Sequence, residues 1–454
     1  MTNNKRDGFG SRFGALVALA GAAIGLGNLW RFPYLVGNNG GGAFIIIYLA
    51  FVILLLLPVM YAEFVIGRRS QSNVFGAIKK LAPKSAFISI GILSIAVTLT
   101  ILSFYSVVGG WTIEYIVQSF SSDLFKQDNG ALGATFSNFI SAPVRPAVMH
   151  LVFLGLTALI VAGGIKDGIE KYTKFLTPML FVIIVILLVR SITLPGAEEG
   201  LRFLFYPDFS KLKASSFLDA LGQGFFSLSL GMGCIITYAS YVNKRENIRK
   251  MSLTTVVADT LFAVLAGIAI MPAVFAFGVS PTSGPSLVFI TLPQIFAQLP
   301  FGQMFSLLFF IVLFVAAITS SISMLEIVVA YICEEFKLSR KAAVLYSSVF
   351  VAFTGILCSL SEGAFSSFRL FDKNLFDLFD YASNNIMLPL GGLLVVLFVG
   401  WKLKRKDVLD EMTSGGTIPM NRAIFGSVMI ILKFIAPLAI SIVMLNGIGL
   451  IKIF

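Results

Sequence analysis

Residues 21–33 read GAAIGLGNLWRFP, directly after the apolar run SRFGALVALA at 11–20. The run starts like a membrane helix. The stretch then puts Gly21, Gly25, Gly27, Asn28, Arg31 and Pro33 in its middle. In a helix interior glycine costs about 1 kcal/mol and proline about 3 kcal/mol relative to alanine. The same interruption recurs at 225–241, FFSLSLGMGCIITYASY, where Gly231 and Gly233 flank Met232 midway along an apolar segment.

The surroundings of both breaks are membrane-like. The chain has 454 residues, 57% hydrophobic and 13% charged, with a mean hydropathy of +0.91. Soluble domains carry about 25% charged residues. Apolar runs long enough to cross a hydrocarbon core of about 30 Å follow one another along the chain. Eleven spans are expected, at 12–36, 42–66, 87–120, 146–163, 173–194, 216–242, 250–279, 302–334, 342–360, 376–401 and 421–449. They leave no room for a separate soluble domain, so 1–454 reads as one all-α integral membrane domain.

The net charge of +11 suggests nucleic acid, but its distribution argues against that. With the N-terminus inside, 23 of the 34 Lys and Arg fall on inner segments, nine on outer ones, and Arg31 and Lys433 within spans. This is the positive-inside bias. It puts the N-terminus in the cytoplasm of a bacterial-type cell membrane and, with an odd span count, the C-terminus outside. The first apolar stretch is too long for a signal peptide and has no small-residue cleavage site. No nucleotide-binding GxxxxGK[ST] run and no HExxH occur. Cys234, Cys333 and Cys358 show no pairing or metal spacing, and the single histidine, His150, reads as an interfacial residue. An intramembrane serine hydrolase would need His150 as its base, which no nearby Ser-Gly pattern supports. The composition points away from an enzyme. Nothing in it decides the oligomeric state.

Paired Gly-interrupted spans at corresponding places in two halves point to a transporter site. Here spans 1 and 6, each interrupted midway, open the two halves. Spans 1–5 (about 12–194) and 6–10 (about 216–401) then form a 5+5 inverted repeat, with span 11 (about 421–449) added. Unwound backbone survives in a bilayer only where it is buried in protein or lines a wet cavity. There, freed carbonyls can hold a cation and a half-helix N-terminus can hold an anion. The competing reading of either break alone is close helix packing through Gly21-xxx-Gly25.

The motifs GLGNLWRFPYLVGNNGGGAF (25–44), FFSLSLGMGCIITYASY and AITSSIS (317–323) resemble those of the neurotransmitter:sodium symporters, and within them the bacterial amino-acid transporters of the leucine-transporter fold. The resemblance covers nearly the whole chain. It implies a sodium symporter with two ion sites: Ala23, Asn28, Ser227 and Asp259 at the first, and Gly21, Ile24, Ala316, Thr319 and Ser320 at the second. Read without it, Thr319, Ser320 and Ser321 are ordinary hydroxyls bonded back to the preceding turn. The substrate carboxylate would meet the backbone N–H groups of Leu26 and Gly27 and the Tyr105 hydroxyl. The substrate side chain would face Ile101, Tyr105, Phe226, Ser229, Met232, Ser320 and Met324. Gly25 stands where amine-carrying relatives have aspartate, so the substrate should bring its own carboxylate. The set is uncharged and holds two adaptable methionines, which implies a neutral hydrophobic or aromatic L-amino acid. Asp259 replaces the family's common asparagine. A fixed carboxylate there is expected to make chloride unnecessary and to accept a proton on the return step.

The resemblance also implies gates and a hinge. Arg31 and Asp380, bridged by water, would close the outer side above a lid of Tyr105 and Phe226. Arg6 and Glu334 would close the inner side, near Ser240 and Tyr241. Gly168 and Pro178, separated by nine residues in KDGIEKYTKFLTP, would mark a stretch of span 5 that unwinds. The segment SPTSGPSLVFITLPQIFAQLP (280–300) would form an outer lid. Alternating access would rock spans 1, 2, 6 and 7 against the rest. The rivals are a same-fold transporter of an amine, osmolyte or small acid, and a channel or non-transporting amino-acid sensor.

Overall fold

The computed structural model describes residues 7–121, 129–278 and 287–451. The helices run where the apolar segments predict them. Nine among the described residues are long and apolar enough to cross a membrane: Gly42–Ser70, Ala86–Phe120, Arg145–Ala162, Ile165–Ile192, Ile248–Ala276, Gly302–Glu335, Arg340–Ser361, Leu375–Lys402 and Arg422–Gly447. They correspond to spans 2, 3, 4, 5, 7, 8, 9, 10 and 11. Span 1 is a bent pair, Arg12–Ala23 and Gly27–Asn38, at 51° to one another. The segment expected as span 6 is also two helices, Ala214–Ser227 and Cys234–Ala239. An eleventh crossing is reached only by counting that pair as one.

Span 5 departs from its expected bounds. It starts at Ile165 rather than 173, because the charged Ile165–Glu170 stretch forms a wide helical turn that leads straight into Lys171–Ile192. Lys166 and Asp167 face outward from that turn, while Gly168, Ile169 and Glu170 are buried. The positive φ of Gly164, 86°, separates it from span 4. His150 is not interfacial. It is fully buried between spans 3, 4 and 9, with Nε2 3.4 Å from the Ala352 carbonyl oxygen.

Span 8 is the axis of the fold. In its most apolar stretch 78% of the residues are buried, against 28% for span 11. It packs on spans 1, 3, 4, 5 and 9. Large apolar side chains such as Leu159, Phe175 and Leu438 point outward, where lipid rather than water is their solvent. The first half of span 1, Arg12–Ala23, is enclosed by spans 5, 7 and 8, so its broken end lies at the centre of the molecule.

Candidate substrate and ion site

The first break follows from residue chemistry. Ser11 caps the Arg12–Ala23 helix through the Gly14 N–H. The helix stops at Ile24, whose backbone turns extended, and regular structure resumes at Gly27. The second break needs left-handed backbone at Ser229 (φ 52°), Gly231 (84°) and Gly233 (78°). Two of the three are glycines, which adopt that conformation without steric cost. A Cβ on Gly231 would lie 2.3 Å from the Leu388 carbonyl oxygen. The break therefore packs backbone-to-backbone on span 10.

The groups released by the breaks find partners across the core. Tyr105 Oη accepts from the Leu26 N–H at 3.2 Å, and Asn28 Oδ1 accepts from the Gly25 N–H at 2.9 Å. Ser320 Oγ donates to the Ile24 carbonyl at 3.1 Å, and Ser229 Oγ donates to that of Ala22 at 3.1 Å. One cavity lies between these groups. All ten residues expected around a substrate line it: Gly25, Leu26, Gly27, Ile101, Tyr105, Phe226, Ser229, Met232, Ser320 and Met324. Gly25 has no room for a side chain there. A Cβ would sit 2.7 Å from Ser320 Oγ and 3.1 Å from Tyr105 Oη.

Ala23, Asn28 and Ser227 line the same cavity, and Asp259 completes an oxygen cluster behind it. Ser227 Oγ is 3.0 and 2.9 Å from the two Asp259 oxygens, and Asn28 Nδ2 donates to Oδ1 at 2.8 Å. Asp259 is wholly buried. Carboxylate, hydroxyl and amide oxygens form a hard-cation donor set, once the Asn28 amide rotates its oxygen inward. At the other expected ion position Gly21 abuts span 8, where its Cβ would lie 3.3 Å from Thr319 Cβ. Thr319 Oγ1 bonds back to the carbonyls of Val315 and Ala316, at 3.0 and 3.1 Å. The plain reading of that hydroxyl therefore describes its hydrogen bonds here, while its position faces the Gly21–Ile24 carbonyl end of span 1.

At the expected outer gate the Arg31 guanidinium lies over the Phe226 ring, 5.5 Å from its centroid. Asp380 is exposed and accepts from Asn384 Nδ2 at 2.7 Å, and it makes no direct ion pair with Arg31. Phe289, in the segment between spans 7 and 8, packs on Trp30, Trp111, Tyr115 and Phe136. Of the residues expected at the inner gate, Arg6 lies outside the described residues. Glu334 accepts from the Asn73 backbone N–H at 2.8 Å and side chain at 3.0 Å. Tyr241 donates to Glu326 Oε1 at 2.6 Å, and Glu326 also pairs with Arg340. Gly168 lies in the wide turn of span 5 and Pro178 inside the helix after it.

Several partners lie outside the expected set. Glu63 of span 2 accepts from the Gly231 N–H at 2.7 Å. Gln223 donates to the Gly27 carbonyl, and Thr177 to that of Val17. Leu388 joins the cavity wall. The carboxylate at 63 inside an apolar span is a visible signal, because intramembrane charge is expensive and functional. The others are polar or apolar residues of ordinary appearance.

Comparison with known proteins bears on this arrangement. The model of the sodium:neurotransmitter symporter family matches residues 6–135 and 134–452. The chain belongs to that family. A sodium-dependent transporter of Bacillus subtilis is similar at 43% identity over 452 residues, covering 100% of both chains. The sodium-dependent serotonin transporter of Drosophila melanogaster is similar at 29% over 407 residues, 79% of this chain and 64% of that one. The crystal structure of MhsT in complex with L-phenylalanine matches with a TM-score of 0.90 at 42% identity, covering 98% of this chain and 100% of that one. The protein is a multi-pass membrane symporter that couples transport to sodium, and not an enzyme.

Proposed function

We propose that this symporter imports neutral L-amino acids with large apolar or aromatic side chains. The carrying observation is the cavity. Gly25 excludes a side chain that could hold an amine, and Ile101, Phe226, Met232, Met324 and Leu388 form an uncharged wall. The Leu26 N–H and Tyr105 hydroxyl lie at one end, fitted to a carboxylate. MhsT, bound to phenylalanine in its structure, supports this class.

Two sodium ions travel with the substrate in this account. One sits among Ala23, Asn28, Ser227, Asp259 and the substrate carboxylate, the other among Gly21, Ile24, Ala316, Thr319 and Ser320. Asp259 supplies the negative charge at the first site, which makes transport independent of chloride, and it takes a proton on the return step. The N-terminus is cytoplasmic and the C-terminus outside, with span 6 as the eleventh crossing and spans 1–5 and 6–10 as inverted repeats. Arg31 with Asp380, and Arg6 and Tyr241 with Glu334, gate the two sides. Gly168 and Pro178 let span 5 open. Sodium favours the outward-facing state because it binds the span 1–span 8 contact only when that contact is formed.

Equilibrium binding of labelled tryptophan, tyrosine, phenylalanine and leucine to purified protein, in sodium and in potassium, tests the reading. Saturable binding in sodium, lost in Asn28→Ala, is the expected result. Sodium-dependent binding of betaine or an amine but none of these four would replace the substrate class. Sodium-dependent binding without uptake into vesicles would favour a sensor.

A further inference from the structure

The inner half of span 1 is held at both ends. At its broken end Ser320 bonds the Ile24 carbonyl. At its inner end one carboxylate does the holding. Glu170 of span 5 is buried, 2% exposed, and both its oxygens are committed to the start of span 1. Gly10 N–H donates to Oε2 at 2.6 Å, and Ser11 Oγ donates to Oε1 at 2.7 Å. Ser11 Oγ in turn accepts from the Gly14 N–H at 3.0 Å, so Glu170 supports the residue that caps the helix. Its charge sits at the helix N-terminus, the end that favours an anion. Lys174 Nζ, 2.6 Å from Oε1, is its other partner. Gly14 is fitted to this contact, since a Cβ there would lie 2.0 Å from Oε1.

Glu170 is also the last residue of the wide turn Ile165–Glu170. That turn is tightly constrained: Gly164, just before it, has φ 86°, and a Cβ on Gly168 would lie 2.2 Å from the Ile160 carbonyl oxygen. Wide turns are rarer than α-helical ones and are frequent at functional sites. Straightening or opening this turn moves the Glu170 side chain, and both acceptors leave span 1 together. Conversely, withdrawal of span 1 leaves a buried carboxylate with Lys174 alone, which is unfavourable until water reaches it. The two movements are therefore linked.

The geometry points to Glu170 as the latch that makes opening of the span 5 turn and release of the inner half of span 1 one event. It is a positioning residue, and its role rests on the alternating-access reading above. Hydrogen exchange of the full-length protein in lipid nanodiscs, in sodium and in potassium, reads peptides covering 12–20 and 165–176 separately. In the wild type, sodium slows exchange in both. In Glu170→Gln the sodium protection falls in both peptides by about tenfold, the size of one hydrogen bond to a charged group. Gly14→Ala, which displaces Glu170 from the other side, gives the same pattern. Ser11→Ala, a milder change that keeps the carboxylate, gives a smaller loss in both. Lys174→Gln leaves the Gly10 and Ser11 contacts and moves neither peptide by more than about threefold. A change confined to 165–176, or none, in Glu170→Gln and Gly14→Ala overturns the latch while leaving sodium-driven alternating access intact. A wild type whose two peptides exchange alike in sodium and potassium overturns both.

Discussion

Gly25→Ala is the sharpest test of the cavity. The added methyl would lie 2.7 Å from Ser320 Oγ and 3.1 Å from Tyr105 Oη. Both hydroxyls are already engaged, with the Ile24 carbonyl at 3.1 Å and the Leu26 N–H at 3.2 Å. The methyl therefore acts twice. It takes space, which in a packed interior costs about 1–3 kcal/mol. It also dislodges at least one hydrogen bond, worth about 1 kcal/mol. Together they weaken amino-acid binding by about 2–4 kcal/mol, roughly 30- to 1000-fold. The cause can be isolated with Tyr105→Phe, which removes the oxygen that the methyl meets. On that background the Gly25→Ala penalty should shrink by about 1 kcal/mol, a coupling expected of residues in contact. The assay is equilibrium binding of labelled phenylalanine at saturating sodium for the four proteins of the cycle. Binding by Gly25→Ala within about threefold of the wild type, or strictly additive effects, would refute the placement of Gly25 against these hydroxyls.

Three further outcomes follow from the same structure. Asp259→Asn keeps an acceptor for Ser227 but removes the charge; its sodium affinity should fall about tenfold in gluconate and recover in chloride, whereas unchanged uptake in gluconate rules out the substitution of carboxylate for anion. Gly231→Ala must adopt φ 84° with its Cβ 2.3 Å from the Leu388 oxygen; left-handed strain and overpacking together cost about 2–5 kcal/mol, so a melting temperature equal to wild type would contradict the packing of span 6 on span 10. Arg68, wholly buried, pairs with Glu411 at 2.8 Å and also bonds the carbonyls of Glu246 and Glu411. Arg68→Ala should destabilise the protein by about 3–5 kcal/mol, as for a broken buried pair, and Glu411→Gln by less; equal melting of all three proteins would sink the clamp.

The parts legible in the sequence are those written in local chemistry. Gly25-Leu26-Gly27 and Gly231-Met232-Gly233 announce both breaks, because paired glycines weaken a helix just where an apolar span needs it continuous. The composition of the cavity wall becomes readable only through the family's motifs. Thr319 and Ser320 alone look like any hydroxyls in a helix. What the sequence hides depends on encounters between distant segments. Glu170 reads as one more charge in KDGIEK until the N–H of Gly10, 160 residues away, is found against it. Leu388 is an ordinary apolar residue until the backbone of Gly231 approaches it. Span 5 seems from its sequence to begin at 173 because a charged stretch resembles a loop; in the fold its charges at 166 and 167 lie outward and its Gly168, Ile169 and Glu170 inward, so the helix continues through it.

The central claim is that sodium drives an apolar amino acid through this cavity. Uptake of labelled phenylalanine into proteoliposomes, with an inward sodium gradient or with equal sodium on both sides, measures it directly. Transient accumulation above equilibrium under the gradient, competed by tryptophan and leucine and abolished in Asn28→Ala, is the predicted result. Equilibration at the same rate and to the same level with and without the gradient would contradict it.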